Sequence, residues 1–265
     1  MSNHQALNTF GKSGNPAIRS SAFNERANEH EEKMSLDGAV NKTSIMLLVL
    51  IASAATSWIF ATNPLVQTLG TLMMIIGWGS MIATFGFYMF FLGWLIKPRA
   101  YLAPKLWLFA AAGQGILIGK MSMYAESMYP GIVLEAVSLT FCVAASLLFA
   151  YKTAIIKPTQ NFVLMVFSAT VGIMLFYLVL FIMSLFGSAM PDIISGNSNA
   201  AIGYSLFVIA IAAFNLVIDF DIIEQSADEG SPKYMEYFGA MALTMTLVWL
   251  YVEILRLLMK LNSRR

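Results

Sequence analysis

The sequence has few residues of the kinds that build metal centres or disulfide frameworks. It contains one cysteine, Cys142, and two histidines, His4 and His30, which both lie in a polar stretch near the amino terminus. One cysteine excludes a disulfide framework and a thiolate metal site. Two histidines in a polar tail are too few for the usual zinc or haem ligand sets. We therefore expect no bound metal and no cofactor.

Catalytic motifs are missing as well. The chain has no nucleophile with a matched base, no zinc-protease motif and no phosphate-binding loop. It also lacks the second matched aspartate, in a separate span, that a membrane protease with a carboxylate pair would need. We expect that the protein is not an enzyme.

Charge is scarce too. Charged residues make up 12% of the 265 residues and the formal net charge is +1, which gives no electrostatic basis for binding nucleic acid. What is present is apolar sequence: 58% of the residues are hydrophobic, and they occur in blocks of about 20, the length that crosses a bilayer as a helix. The composition predicts an all-α membrane protein whose partner is the lipid bilayer.

The chain divides into a polar tail and a transmembrane domain. We expect residues 1–42 to be mostly disordered, with a short amphipathic helix near residues 23–34. No apolar signal-peptide region is visible, so the first span is expected to be an uncleaved targeting signal. Seven spans are predicted in residues 43–265, at about 43–60, 71–95, 104–123, 132–151, 162–186, 200–223 and 234–261.

Basic residues set the orientation. They occur in the tail and in the links after spans two, four and six, whereas the links after spans one and five have none. This pattern predicts a cytoplasmic amino terminus. The last segment leaves two alternatives, because Lys260, Arg264 and Arg265 at its end are basic. It either crosses against the charge rule or re-enters the same side, and its length favours a seventh crossing.

The sixth span contains the most informative polar residues. Asp219 and Asp221 lie inside an apolar run, where a carboxylate costs about 2.5–3.5 kcal/mol at the span centre. Asn215 and Asp219 are four residues apart and share a helix face, whereas Asp221 points elsewhere. We expect Asp219 to face the bundle interior. The alternative is an interfacial helix end whose acids reach water.

The last span carries a polar stripe. Its members recur at spacings of three and four on one face, which predicts a central, semi-polar last helix or one that lines a wet cavity; they are Gly239, Leu243, Thr246, Leu250, Glu253, Arg256 and Lys260. Glu253 and Arg256 can pair within the helix, and a purely structural ion pair is the alternative. Lys120 and Glu135 lie at the predicted outer ends of spans three and four. With Glu253 and Arg256 they would form an outer polar network.

Six stretches of the sequence carry a family likeness over nearly the whole chain. They are Ser13-Gly-Asn-Pro-Ala17, Val40-Asn-Lys-Thr43, Tyr129-Pro-Gly-Ile-Val-Leu-Glu-Ala136, Phe214-Asn-Leu-Val-Ile-Asp-Phe-Asp-Ile-Ile-Glu-Gln225, Ser231-Pro-Lys-Tyr-Met-Glu236 and Leu247-Val-Trp-Leu-Tyr-Val-Glu-Ile-Leu-Arg-Leu-Leu258. They resemble the bacterial YccA-like branch of the transmembrane Bax inhibitor motif family. The resemblance implies seven helices with the last one in the centre, a bacterial inner membrane, and a calcium leak that responds to pH.

The resemblance also implies a proton-sharing pair of aspartates, one in span six and one in span seven. The span-six member matches Asp219. The span-seven position falls at Thr246 or within one turn of it, so this chain lacks the second acid, and Glu253 is about two turns further on. Some members of this branch look like modulators of a membrane-bound quality-control protease.

Two functions from different classes follow. The first is a pH-modulated cation leak, with calcium as the permeant ion, in which Asp219 senses protons and attracts the ion. Its supporting polar residues would be Asn215, Asp221, Thr246, Glu253 and Arg256. The second is a non-conducting regulator that binds a membrane-bound protease. A structural membrane subunit is a third alternative.

Overall fold

The computed structural model describes residues 32–62, 103–156, 158–186 and 191–264. These residues form the helices α1 (Leu36–Thr62), α2 (Ala103–Met128), α3 (Ile132–Lys152), α4 (Gln160–Leu185), α5 (Asp192–Ser195), α6 (Asn199–Asp228) and α7 (Met235–Asn262). No strand occurs in these ranges, and the predicted all-α class is confirmed. The predicted second span, at 71–95, lies outside the described residues.

Five of these helices, α1, α3, α4, α6 and α7, are long and apolar enough to cross a membrane. Helix α2 is also 26 residues long, but it is more polar because it carries Gln114, Lys120 and Glu126. The protein is therefore a multi-pass membrane protein. Helix α7 is one unbroken helix of 28 residues, about 42 Å long at the usual helical rise. It has no internal turn of the kind that a re-entrant segment needs.

Burial separates the inner helices from the outer ones. In the most apolar part of each span, 72% of α7 and 56% of α6 is buried inside the protein, against 17% of α3. The outer helices expose large apolar side chains, such as Leu48 on α1 and Leu134 and Phe149 on α3. Apolar residues exposed on a membrane helix face lipid. The burial of α7 agrees with the predicted central last helix.

Capping and pairing residues explain the helix ends that the sequence pattern misplaced. Helix α1 begins at Leu36, not near residue 43, because the Gly38 N–H donates to Ser35 Oγ at 3.0 Å and so caps the first turn. Helix α6 continues past residue 223 to Asp228. It ends where Gly230 adopts a φ of +73°, the left-handed conformation that commonly stops a helix.

The residues just before α1 pair with the loop between α6 and α7. Lys33 forms an isolated antiparallel bridge with Pro232. The Met34 N–H donates to Ser231 O at 2.7 Å, and the Lys233 N–H donates to Glu32 O at 2.8 Å. The end of the predicted amphipathic helix at 23–34 is thus extended, and the rest of that prediction falls outside the described residues. We call this contact the N-terminal pairing.

The chain separates into two compact units, each with its own packing. The first contains Met128–Ile218 and Thr246–Arg265. Its core is the cluster of Ile173, Val208 and Ile211, against which aromatic side chains from α4, α6 and α7 pack. The second contains the described parts of Asn15–Ser127 together with Asp219–Met245.

In the second unit, α1 and α2 approach closely at two glycines. A Cβ atom on Gly115 would overlap Ser53 Oγ and Leu50 O, and one on Gly119 would overlap Ala54 O. The Ser57 hydroxyl donates to Ile116 O at 3.0 Å across this contact. Gly115 and Gly119, four residues apart on α2, therefore allow the two helix backbones to pack closely.

We expect Gly119→Ala to destabilise the protein by about 1–3 kcal/mol, the usual cost of overpacking a tight contact. The readout is the unfolding midpoint of the purified protein in detergent. Gly172→Ala on α4 is the matched control, because a Cβ there meets nothing within 4 Å among the described residues. Equal effects of the two substitutions would contradict the close approach.

Candidate functional site

The two aspartates of α6 have different surroundings. Asp219 is completely buried, with 0% of its surface exposed. Asp221 is half-buried and accepts a hydrogen bond from Gln225 Nε2 at 2.6 Å, one turn further along the same helix. Asp219 is thus the interior carboxylate, whereas Asp221 takes part in a local contact near the end of α6.

Two neutral polar residues of the predicted site are also buried. Asn215 on α6 is 1% exposed, and its amide nitrogen donates to Thr170 Oγ1 on α4 at 2.7 Å. Thr246 on α7 is 3% exposed. It stands at the position where the family likeness places a second acid, so the structure has a small neutral hydroxyl there.

Glu253 and Arg256 form the ion pair that their spacing predicts. Arg256 Nη1 lies 3.1 Å from Glu253 Oε1, and Glu253 is 3% exposed. Tyr177 on α4 completes the group, since its hydroxyl donates to Glu253 Oε1 at 3.2 Å and accepts from Arg256 Nη1 at 2.7 Å. We call these three residues the α4–α7 cluster. It pairs a buried acid with a cation and a hydroxyl, which lowers the cost of burying the charge.

Lys260 lies one turn beyond Arg256 and is only 6% exposed. Its ammonium donates to Ser205 Oγ at 2.9 Å, to Ala201 O at 3.1 Å and to Ile193 O at 3.4 Å. These three oxygens match the three donors of an ammonium group. The carboxyl-terminal end of α7 is therefore anchored to α5 and to the start of α6.

The rest of the predicted outer polar network stays a prediction. Glu135 is exposed in the first turn of α3, within the first unit, and Lys120 is half-buried on α2, within the second. Of the four residues, the described contacts join Glu253 to Arg256.

The sequence reasoning missed a buried cluster at the start of α7. Glu236 is 2% exposed and forms an ion pair with Lys42 on α1. Glu236 Oε1 also accepts from the Ser35 N–H at 2.9 Å and from the Ser35 hydroxyl at 3.0 Å. We call Ser35, Lys42 and Glu236 the α1–α7 cluster. In the sequence, Glu236 is a carboxylate in the first turn of a span. Such a residue is usually an ordinary acid at the membrane interface, so its burial was not predicted.

A second ion pair lies nearby but is exposed. Lys233, in the loop before α7, pairs with Glu32, and their side chains are 52% and 74% exposed. The hydrogen bond to Glu32 raises the pKa of Lys233. Because this pKa is raised, the stability that the Lys233 ammonium contributes is present at neutral pH and is lost as the pH rises through the folded-state value.

The described polar side chains of the candidate site do not converge on a shared metal-binding position. Within the described ranges, no group of three or more histidine, cysteine, aspartate or glutamate residues is placed to hold a metal ion.

Comparison with known protein families gives a match. The family model described as Bax inhibitor 1 like matches residues 15–263, which is nearly the whole chain. No curated protein and no solved structure matches the chain.

Lys42→Met should destabilise the protein by about 3 kcal/mol, because it leaves the Glu236 carboxylate buried without its cation. The free energy of unfolding can be measured by titration with a denaturing detergent in mixed micelles. Lys233→Met is the matched control, since it breaks the exposed ion pair and should cause no measurable loss. A loss that is no larger for Lys42→Met than for the control would refute the buried ion pair.

Tyr177→Phe should destabilise the protein by about 2 kcal/mol, because the lost hydroxyl bonds to both charged groups of the α4–α7 cluster. The same unfolding titration measures it. Tyr124→Phe removes a hydroxyl from a side chain that is 60% exposed on α2 and should be neutral. An unchanged stability of Tyr177→Phe would mean that the hydroxyl contributes nothing to the buried ion pair.

Proposed function

Because the chain belongs to the Bax inhibitor 1 like family and buries a carboxylate inside an apolar span, we propose that it is a pH-modulated cation leak with calcium as the permeant ion. The observation that carries this proposal is the complete burial of Asp219. An ionisable residue inside a membrane span is costly and commonly marks an ion or proton path.

Asp219 would combine two roles. Its ionised form attracts a cation into the membrane interior, and its protonated form does not. The residues before it on α6, Leu216, Val217 and Ile218, are completely buried apolar residues, so its charge has strong effects in a low-dielectric surrounding. Flux should therefore fall as the pH drops and the carboxylate takes up a proton.

Thr246 stands where the family likeness places the second acid of a proton-sharing pair. Two neighbouring acids that share a proton titrate in two coupled steps. The proposed leak would therefore depend on Asp219 without that particular partner.

We also propose that the protein lies in a bacterial inner membrane with its amino terminus in the cytoplasm. The support is the distribution of basic residues, which include Lys33 and Lys42 at the start of α1 and Lys233 after α6. Positive charge in short links is retained on the cytoplasmic side.

Calcium flux into liposomes that contain the purified protein, from about pH 5 to pH 8, tests the leak. We expect Asp219→Asn to abolish the pH dependence and to lower the flux near pH 8 by about tenfold, which corresponds to about 1.4 kcal/mol of lost attraction. Asp228→Asn is the matched control, because Asp228 is an exposed acid at the end of the same helix. It should keep both the flux and its pH dependence.

A folded wild-type protein without flux at any pH would overturn the leak and would favour the second proposal, a non-conducting regulator of a membrane-bound protease. Deletion of residues 1–31 separates the two further, since it stops before Glu32 and leaves the N-terminal pairing intact. A pore should tolerate this deletion. A regulator that binds its partner through the tail should lose its activity.

A further inference from the structure

The amide of Asn215 is held in one orientation by two acceptors. Its Nδ2 donates to Thr170 Oγ1 at 2.7 Å and to Ile211 O at 2.9 Å. The Thr170 hydroxyl donates its own hydrogen to Val166 O at 2.8 Å. Thr170 Oγ1 and Ile211 O can therefore only accept from Asn215, so both contacts must be made by the NH2 group.

The opposite end of the same amide has no such partner. Asn215 Oδ1 is buried and receives no hydrogen bond from the described residues. Ile211, one turn earlier on α6, belongs to the core cluster of the first unit, and Phe214 packs against that cluster. A buried carbonyl oxygen without a donor is unfavourable, and native structures usually provide water or an ion at such a place.

We propose that Asn215 Oδ1 is a binding site for the permeating cation in its partly hydrated form. This inference rests on the proposed leak and adds a second contact point to it. Amide oxygens are among the ligands that calcium accepts in proteins. Asn215 contributes one such oxygen, and water supplies the rest of the coordination shell.

A neutral ligand suits a step in conduction. An ion must bind well enough to enter and weakly enough to leave. A second carboxylate at this position would retain a divalent cation, whereas an amide oxygen releases it. Asp219 follows four residues later on α6, so the helix presents a neutral oxygen and a titratable one at a spacing of one turn.

Thr170 is a positioning residue in this site. It does not face the cation, since both its hydrogen and its accepting oxygen are already used. Its role is to fix the NH2 group on the α4 side and thereby to direct Oδ1 away from α4. Without the hydroxyl, the amide loses one of its two anchors and can rotate.

The experiment measures cation binding without conduction. Purified protein in detergent is heated in the presence of increasing calcium chloride, with choline chloride keeping the ionic strength constant. Binding to the folded state raises the unfolding midpoint. The variants are Asn215→Leu, which keeps the size and removes the oxygen, and Thr170→Val, which removes one acceptor of the amide NH2 group. All are repeated in the Asp219→Asn background, where the neighbouring carboxylate is neutral.

A matched control exists on α4. Ser168 is an exposed residue whose hydroxyl donates to Leu164 O at 2.8 Å, the same local bond that Thr170 makes. Ser168→Ala removes a hydroxyl from this helix without touching Asn215. It should leave the calcium-dependent shift unchanged and so report any general effect of hydroxyl removal.

We expect the calcium-dependent shift to disappear in Asn215→Leu and to require about tenfold more calcium in Thr170→Val, as is usual when the partner that orients a ligand is lost. The same order should hold in the Asp219→Asn background. A wild-type protein without a shift, or equal shifts in wild type and Asn215→Leu, would overturn the site.

The two proposals fail separately. Liposomes without flux, combined with a calcium shift that Asn215→Leu removes, would overturn the leak and leave the cation site standing. Flux that Asn215→Leu leaves unchanged, combined with equal shifts, would overturn the site and leave the leak standing.

Discussion

The cost of placing an ionised group in a low-dielectric interior is the constraint on which the rest of this structure depends. Helix α7 carries a buried acid near each end and a buried lysine beyond the second, and the described contacts give each of them a partner. Glu236 is held by Lys42 and Ser35, Glu253 by Arg256 and Tyr177, and Lys260 by three oxygens. A buried charge without a partner destabilises the folded state far more than an exposed charge does. These contacts therefore fix the position of α7 against the helices that it touches.

Helix α6 buries polar residues of a different kind. Asp219 and Asn215 are both buried on this helix, and the Asn215 amide donates to the Thr170 hydroxyl on α4. Asn215 thus links α6 to α4 through neutral groups, whereas Glu253 and Arg256 link α7 to the same helix through an ion pair that includes Tyr177.

The sequence predicted the positions of the helices better than the contacts between them. Apolar length predicted each of the six long helices in the described residues, because a bilayer sets that length whatever the packing. It misplaced the start of α1, since Ser35 caps a turn that precedes the apolar run. The polar stripe of α7 was visible from its spacing, and so was the pairing of Glu253 with Arg256. That Tyr177 joins them could not be predicted, because no local pattern tells which helix packs beside another.

The burial of Glu236 was not predicted, because it too depends on contacts between distant parts of the chain. A carboxylate one residue into a helix is usually an exposed acid that complements the helix dipole. Its burial depends on Ser35 and Lys42, about 200 residues earlier in the chain. Lys260 belonged to the stripe, but its acceptors include two backbone carbonyls, which have no signature in the sequence.

The N-terminal pairing also limits the topology. Residues 32–34 precede α1 and residues 231–233 follow α6, and because they bond directly they must lie on the same side of the membrane. An even number of crossings must therefore separate them, a condition that the six predicted spans satisfy. One further crossing by α7 brings the chain to the other side. Glu236 and Lys260 lie near opposite ends of this helix, so that a buried acid holds one end and a buried base holds the other.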